Sequence, residues 1–508
     1  MDTRQPVMGR DVISTSQPLA TAAGLAMFER GGNAVDAALA AAIALTVVEP
    51  TSNGIGGDLF AIVRHGDTLH GLNASGRAPA AWTPEYFAGR DAVPMTGPDG
   101  VTVPGGVAGW SALHERFGSL PFGDLFEPAI RHASDGYPVS PITAAAWSRS
   151  EARFGKFDEF RRVFLPAPRA GQVWKSPDHA ATLRTIADDR GESFYHGELA
   201  AKIATAAGAM ATADLAEHTI DWLTDADLPA ADGFGVTLRE IPPNGQGIAA
   251  QVALRLLQHV DPPTDWLSAD GVHLQIEAMK LALADLHAHV GDGAGLELLD
   301  DAYLAERSKL IDPRRATIAA AGVPKHGGTV YLCAADRAGT MISLIQSNYH
   351  GFGSGVVVPG TGIALHNRGV GFTLTPGHPN AVAPRKRPLH TIIPGFAQAA
   401  HDGGFDMAFG VMGGPMQAQG HLQMLARLHA GQGLQQACDA PRWQCMGDNR
   451  VIVEDAWDNA LLADLTQRGH ELETKSFEHF GGAQLIRELD DGYESASDWR
   501  KDGHAVGR

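Results

Sequence analysis

Thr329-Val330-Tyr331-Leu332-Cys333-Ala334-Ala335-Asp336, then Arg337-Ala338-Gly339, then Thr340-Met341-Ile342-Ser343-Leu344-Ile345-Gln346-Ser347 is the stretch that decides the fold. Both longer runs have strand composition, and a three-residue loop with glycine last is a recognised hairpin closure. Pairing Asp336 with Thr340 sets the register, and counting back puts Ser347 opposite Thr329. Cross-strand neighbours have Cβ atoms about 4.5–5.5 Å apart, so the hairpin brings two hydroxyls together where its first strand begins. Such a pair also occurs in ordinary sheets; the surrounding glycines give it chemical interest. Gly327-Gly328 leaves the backbone ahead of Thr329 free to adopt strained conformations. Further on, Gly410-Val411-Met412-Gly413-Gly414-Pro415 ends a strand-like run with two adjacent glycines, whose successive N–H groups suit an oxyanion.

Working outward, Ser16-Gln17-Pro18 starts a helical run over 19–30 that stops at Gly31-Gly32. Residues 34–45 are small and apolar nearly all round, which predicts a buried helix. A loop, Thr51-Ser52-Asn53-Gly54-Ile55-Gly56-Gly57-Asp58, leads to a predicted hairpin of strands 59–63 and 69–73 around Gly66-Asp67. Residues from about 110 to 325 read as mainly helical, most clearly over 275–290. Beyond them come short apolar strands split by glycine turns, and a helix near 420–430. Strand-rich and helix-rich blocks in one chain favour a layered α/β protein over separate modules.

The chain has 508 residues, 40 Lys+Arg against 58 Asp+Glu and a formal charge of −18, which argues against nucleic acid or an anionic membrane surface as partner. With 44% hydrophobic and 19% charged residues it has ample material for a core. Cys333, Cys438 and Cys445 form neither a disulfide framework nor a metal-ligand spacing. The sequence Met1-Asp2-Thr3-Arg4-Gln5-Pro6 lacks a secretory apolar stretch, and no run approaches about 18 apolar residues, so a cytoplasmic protein that does not enter the membrane is expected. His287 and His289, two apart on a predicted helix, point to different faces, and no metal is expected. The loop 53–57 lacks both the P-loop ending and the G-x-G-x-x-G spacing, and no cofactor is expected.

Thr51-Ser52-Asn53-Gly54-Ile55-Gly56-Gly57-Asp58, Gly328-Thr329, Phe352-Gly353-Ser354-Gly355-Val356, Gly360-Thr361-Gly362-Ile363, Lys386-Arg387-Pro388 and Gly413-Gly414 occur in that order. Together they resemble the gamma-glutamyltransferase family of N-terminal nucleophile hydrolases, over residues from about 14 to 441. The resemblance implies a four-layer αββα sandwich, two stacked and mainly antiparallel sheets flanked by helices, made as an inactive precursor. Self-cleavage between Gly328 and Thr329 would leave a large subunit, 1–328, and a small catalytic one, 329–508, as one intertwined domain; further dimerisation is left open. Cleavage frees an α-amino group on Thr329, with an unperturbed pKa of about 7.7–8.0, that can take the threonine's own hydroxyl proton. By resemblance, Gly413 and Gly414 receive the oxyanion, and Ser347 holds the family's second hydroxyl position.

The departures bear on substrate. Glutathione-handling members have a second threonine where this chain has Val330, and acidic or amide binders of the glutamyl amine where it has Arg368 and Gly371. They have paired serines at His390-Thr391, and an arginine for the α-carboxylate at Ser75, with Arg77 two residues later here. Gamma-glutamyl transfer from glutathione is therefore not expected. Gln346 to Gly353, Asn367-Arg368-Gly369 and Pro388-Leu389-His390-Thr391 are closer to oxamate-amidohydrolase-like and cephalosporin-acylase-like members. Arg368, His390 and Arg77, with Tyr349, His350, Thr391 and Ser75, suit an amide whose acyl part bears a carboxylate. The expected reaction is hydrolysis of a small anionic amide, oxamate-like or a dicarboxylic-acid monoamide, through an acyl-enzyme on Thr329. The alternatives are a gamma-glutamyl transferase or hydrolase, a cephalosporin acylase, and, since Val330 replaces the second threonine, an uncleaved scaffold relative.

Overall fold

The strand Gly328–Ala335 is apolar on both faces because both are covered. Val330, Leu332 and Ala334 pack with the helix Ala34–Val48, whereas Tyr331, Cys333 and Ala335 pack with Phe60, Phe396 and Ile486. In this computed structural model, which describes residues 4–319, 328–400 and 404–508, the second set of contacts is the seam between two stacked sheets. One runs in the order His504–Gly507, Val12–Thr15, Gly328–Ala335, Met341–Tyr349, Asp58–His65, Thr68–Asn73, Asp221–Leu223. The other runs Val7–Gly9, Gly492–Ser497, Gly482–Leu489, Met407–Met412, Gly395–Ala399, Val236–Arg239, Ala230–Gly233. Every neighbouring pair in both is antiparallel.

Helices close the sandwich on both outer faces. Pro18–Glu29 starts where the Gln17 side chain accepts from Leu19 N at 2.6 Å. Ala34–Val48 starts at a capping box of Asn33 and Asp36 and is buried along its whole length, as its composition requires. The opposite face is covered by Gly247–Leu256, Ala269–His289 and Met416–His429, which pack on Phe409, Val411 and Leu485. Among the described residues no helix is long and apolar enough to cross a membrane.

The helix-rich reading of residues 110–325 missed three strands of the two large sheets, Asp221–Leu223, Ala230–Gly233 and Val236–Arg239. Each has only three or four residues and lies at or next to a sheet edge, too short to show a period. Residues on both sides of the Gly328–Thr329 bond supply strands to both sheets, and Gly328–Ala335 is itself hydrogen-bonded to Val12–Thr15.

Candidate active site

The hairpin has the register that its turn dictates. Asp336 N donates to Thr340 O at 3.0 Å, Ala335 pairs with Met341, and Val330 pairs with Gln346. At the start of the strand the register slips, so that Gly328 pairs with Tyr349, and at this bulge the two hydroxyls meet. Thr329 Oγ1 lies 3.1 Å from Ser347 Oγ, and both residues are fully buried. Ser347 Oγ donates to the Gly328 carbonyl at 2.8 Å. A hydroxyl has one proton; with that of Ser347 on Gly328, the Thr329 hydroxyl is placed to donate to Ser347. Tyr349 N at 2.7 Å and Arg368 Nη2 at 3.3 Å also donate to Ser347 Oγ. Tyr349 makes its contact with φ at +68°, a left-handed conformation costly for an aromatic residue.

Behind Ser347 lies a buried charge cluster. Arg368 is fully buried; its Nη1 donates to Thr391 Oγ1 at 2.9 Å, its face covers the Tyr349 ring at 4.4 Å, and its Nε lies 3.9 Å from Asp58 Oδ2. Burial pushes the guanidinium down to about 10, with Asp58 and Tyr349 opposing the fall, so it remains a cation at neutral pH. Asp58 stands across the sheet from Ser347. Its Oδ1 accepts from Gly76 N and Gly105 N at 3.2 Å each, and its Oδ2 lies 3.0 Å from His390 Nε2 and 3.2 Å from His366 Nδ1. Burial raises the Asp58 carboxyl, but the nearby His366 and His390, the latter hydrogen-bonded to it, outweigh that and hold the carboxyl well below its ordinary range. Burial, and then the Arg368 cation, push His390 down to about 3. That neutral ring donates to Asp58 through Nε2 and accepts from Ile392 N at 3.3 Å through Nδ1.

Gly413 and Gly414 end the strand Met407–Met412 with φ of +131° and +60°. A Cβ on Gly413 would come within 3.0 Å of the Gly481 Cα. The helix that follows carries Gln417, whose Nε2 reaches Thr329 Oγ1 at 3.5 Å and whose Oε1 accepts from Ile393 N at 3.0 Å, so the glycine turn lies beside the threonine. Two cavities flank this centre. One, of about 190 Å³, is lined by Tyr349, Gly371, Thr391 and Pro415 with Leu283 and Leu286. The other, of about 500 Å³, is lined by Gly328, His350 and Gly413.

Not every residue expected at the substrate is there. Arg368 does not present an open fork to a carboxylate, because Thr391 and Ser347 take its two terminal nitrogens, Tyr349 covers its face, and the whole side chain is buried. His390 lines neither cavity and packs on Phe60 with ring centroids 4.7 Å apart. Ser75 is fully buried and donates to Asn73 Oδ1 at 2.7 Å. Arg77 turns away to Asp292 at 3.3 Å and lines a different cavity with His218 and Arg385. Asp58 caps Gly76 and Gly105 and also anchors the charge cluster, which its place after a glycine loop does not disclose. A remote cluster, His273, Glu277 and His470, gathers ligand-type atoms. There His273 and His470 bond each other at 2.8 Å, and Glu277 is held by Lys280 at 2.7 Å and by Thr317 N at 2.9 Å, so its charge is already matched.

Comparison with known proteins follows the same lines. A family model described as gamma-glutamyltranspeptidase matches residues 20–508. The chain is 34% identical to the oxamate amidohydrolase proenzyme of Klebsiella pneumoniae, over 96% of this chain and 97% of that one. It is 31% identical to the glutathione hydrolase-like YwrD proenzyme of Bacillus subtilis, over 98% and 100%. The crystal structure of cephalosporin acylase from Bacillus halodurans superposes with a TM-score of 0.94 at 42% identity, covering 100% of this chain and 98% of that one.

Proposed function

Because the chain belongs to the gamma-glutamyltranspeptidase family and has the αββα sandwich of N-terminal nucleophile hydrolases, we propose that it is a self-cleaving amidohydrolase whose nucleophile is Thr329. The contact that carries the reading is at the bulge, where Thr329 Oγ1 lies 3.1 Å from Ser347 Oγ and Ser347 Oγ donates to the Gly328 carbonyl, a proton order in which Thr329 donates to Ser347. Ser347 thus holds the attacking oxygen beside the bond to be cut while polarising its carbonyl, and the Arg368 cation, 3.3 Å behind, stabilises charge that develops there. Oγ1 attacks the Gly328 carbonyl, its proton ends on the Thr329 nitrogen as the Gly328–Thr329 amide bond breaks, and water opens the Gly328 ester that results. The two pieces, 1–328 and 329–508, stay together because each sheet draws strands from both.

The new α-amino group then serves as the base. It takes the Thr329 hydroxyl proton as Oγ1 attacks a substrate amide, the Gly413 and Gly414 N–H groups receive the oxyanion, and the proton passes to the leaving amine. Water resolves the acyl-enzyme. The similarity to proenzymes named as an oxamate amidohydrolase and as acylases supports hydrolysis of an amide with an anionic acyl part, oxamate-like or a dicarboxylic-acid monoamide. Gamma-glutamyl recognition has less support. A Cβ at Gly371, which lines the smaller cavity, would stand 2.4 Å from Leu389 O, which leaves no room there for an acidic side chain to meet an ammonium group. Mass spectrometry of the purified protein with a panel of amides tests the proposal: an acyl adduct on the Thr329 chain is expected. Turnover of gamma-glutamyl anilide with anionic amides inert would overturn the substrate reading.

A further inference from the structure

Among the described residues, one side chain hydrogen-bonds the Gly413–Gly414 turn, and it is Gln246. Gln246 precedes the helix Gly247–Leu256 and is 2% exposed. Its Nε2 donates to Gly414 O at 2.9 Å and to Thr391 O at 2.5 Å. That nitrogen carries two N–H bonds, so the two carbonyls use both. The backbone fixes where the side chain starts: Gln246 N donates to His390 O at 2.9 Å, and His390 N donates to Asn244 O at 2.8 Å. The turn needs such a tether. Gly413 and Gly414 have φ of +131° and +60°, and two successive glycines leave the backbone a wide choice of conformation. Among the described residues no acceptor meets the N–H of either glycine, so nothing on the donor side fixes where these groups point. Their carbonyls are held within the turn only by Met416 N and Gln417 N, each at 3.2 Å. Gln246 adds a hold from a distant segment on the peptide plane that follows Gly414, and the strand Met407–Met412 fixes the other end of the pair.

We propose that Gln246 is the positioning residue of the oxyanion turn, holding the Gly413 and Gly414 N–H groups in place before a substrate carbonyl arrives. The proposal rests on the amidohydrolase reading and adds a residue to its machinery. The printed contacts lead from Gln246 to the nucleophile in a few steps. Gly414 O, the atom that Gln246 holds, also accepts from Gln417 N, and Gln417 Nε2 lies 3.5 Å from Thr329 Oγ1. Gln246 thus acts through the turn rather than on the substrate. Donors that are already aimed need no reordering as charge develops. A released turn has to be ordered in the transition state, which lowers kcat and leaves KM. Self-cleavage depends less on the turn, because the Gly328 carbonyl already accepts from Ser347 Oγ at 2.8 Å.

The test compares processed wild type with Gln246→Met, which keeps the length and loses both N–H donors, and with Gln246→Asn, which keeps the amide but is one methylene shorter. Steady-state kinetics on the amide that wild type hydrolyses fastest should give Gln246→Met a kcat about 10- to 100-fold lower with KM little changed, short of the roughly 100- to 1,000-fold of deleting a donor outright. Binding of butylboronic acid, which forms a tetrahedral adduct on the Thr329 oxygen, should weaken by the same factor. Precursor loss on a denaturing gel should slow far less than kcat falls. Gln246→Asn should lie between wild type and Gln246→Met, and it carries the test if Gln246→Met does not fold. Unchanged kcat and boronate binding, or precursor cleavage that slows as much as kcat falls, overturns the assignment and leaves the amidohydrolase standing. If wild type hydrolyses no amide and binds no boronate, the amidohydrolase reading fails and the assignment falls with it; if it binds boronate alone, the boronate ratio decides.

Discussion

Replacing Ser347 by alanine removes the one atom that touches every part of the proposed cleavage machinery. Its oxygen lies within hydrogen-bond distance of Thr329 Oγ1, Tyr349 N and Arg368 Nη2, and it donates to the Gly328 carbonyl at 2.8 Å. That last bond is an oxyanion contact once Oγ1 attacks, and losing one such donor costs about 2.7–4 kcal/mol in the barrier, or roughly 100- to 1,000-fold in rate. The substitution also leaves a fully buried guanidinium nitrogen and a backbone N–H without their acceptor, which destabilises the fold by about 1–3 kcal/mol. The readout is a denaturing-gel time course of precursor loss after rapid purification. Ser347→Ala should accumulate as a single chain that cleaves two to three orders of magnitude more slowly, whereas Ser347→Thr, which keeps the hydroxyl, should recover part of the rate. Cleavage of Ser347→Ala at the wild-type rate would refute the proton order on which the proposal rests.

Three further outcomes are expected. Gly413→Ala, at φ +131° with a Cβ 3.0 Å from the Gly481 backbone, should displace the oxyanion N–H groups and lower kcat by about 100-fold or more; a steady-state assay with unchanged kcat would remove Gly413 from the site. Arg368→Lys keeps the charge but loses the fork that spans Ser347 and Thr391, so cleavage should slow with the charge retained; a wild-type time course would show that charge alone suffices. Burial pushes His179 down to about 4, and burial with the Arg368 cation pushes His390 down to about 3. Below pH of about 6.5 the unfolded chain therefore binds protons that the folded one refuses, and stability present above that pH is lost as pH falls toward these values. The pair should make the protein about 3 kcal/mol less stable at pH 5.5 than at 7.5, and His179→Asn should remove about half of that loss in urea titrations; identical pH dependence in wild type and variant contradicts it.

The nucleophile's surroundings were legible because they follow from local rules. A three-residue glycine turn fixes a register, and a fixed register puts Ser347 beside Thr329 without knowledge of the rest of the chain. The buried helix Ala34–Val48 was legible for a similar reason, since a run without a polar face has nowhere to go but the interior. What stayed hidden depends on contacts between distant segments. Asp58, His366, His390 and Arg368 are spread over more than 300 residues of sequence, and long-range pairings such as Asp58–His65 with Met341–Tyr349 and Gly56 with Leu365 draw them together. The sequence pattern made Arg368 and Arg77 look like free carboxylate binders because it does not show that Thr391, Ser347 and Asp292 already hold them.

The central claim is that the Thr329 amine must be free before its hydroxyl can do chemistry on anything but its own chain. Intact-mass analysis with N-terminal sequencing, run on the same fractions that are assayed for amide hydrolysis, tests this directly. The account predicts two chains in every active fraction, the smaller beginning at Thr329, and a single inactive chain for Thr329→Ala. Full activity in a fraction whose only species is the uncut 508-residue chain would contradict it.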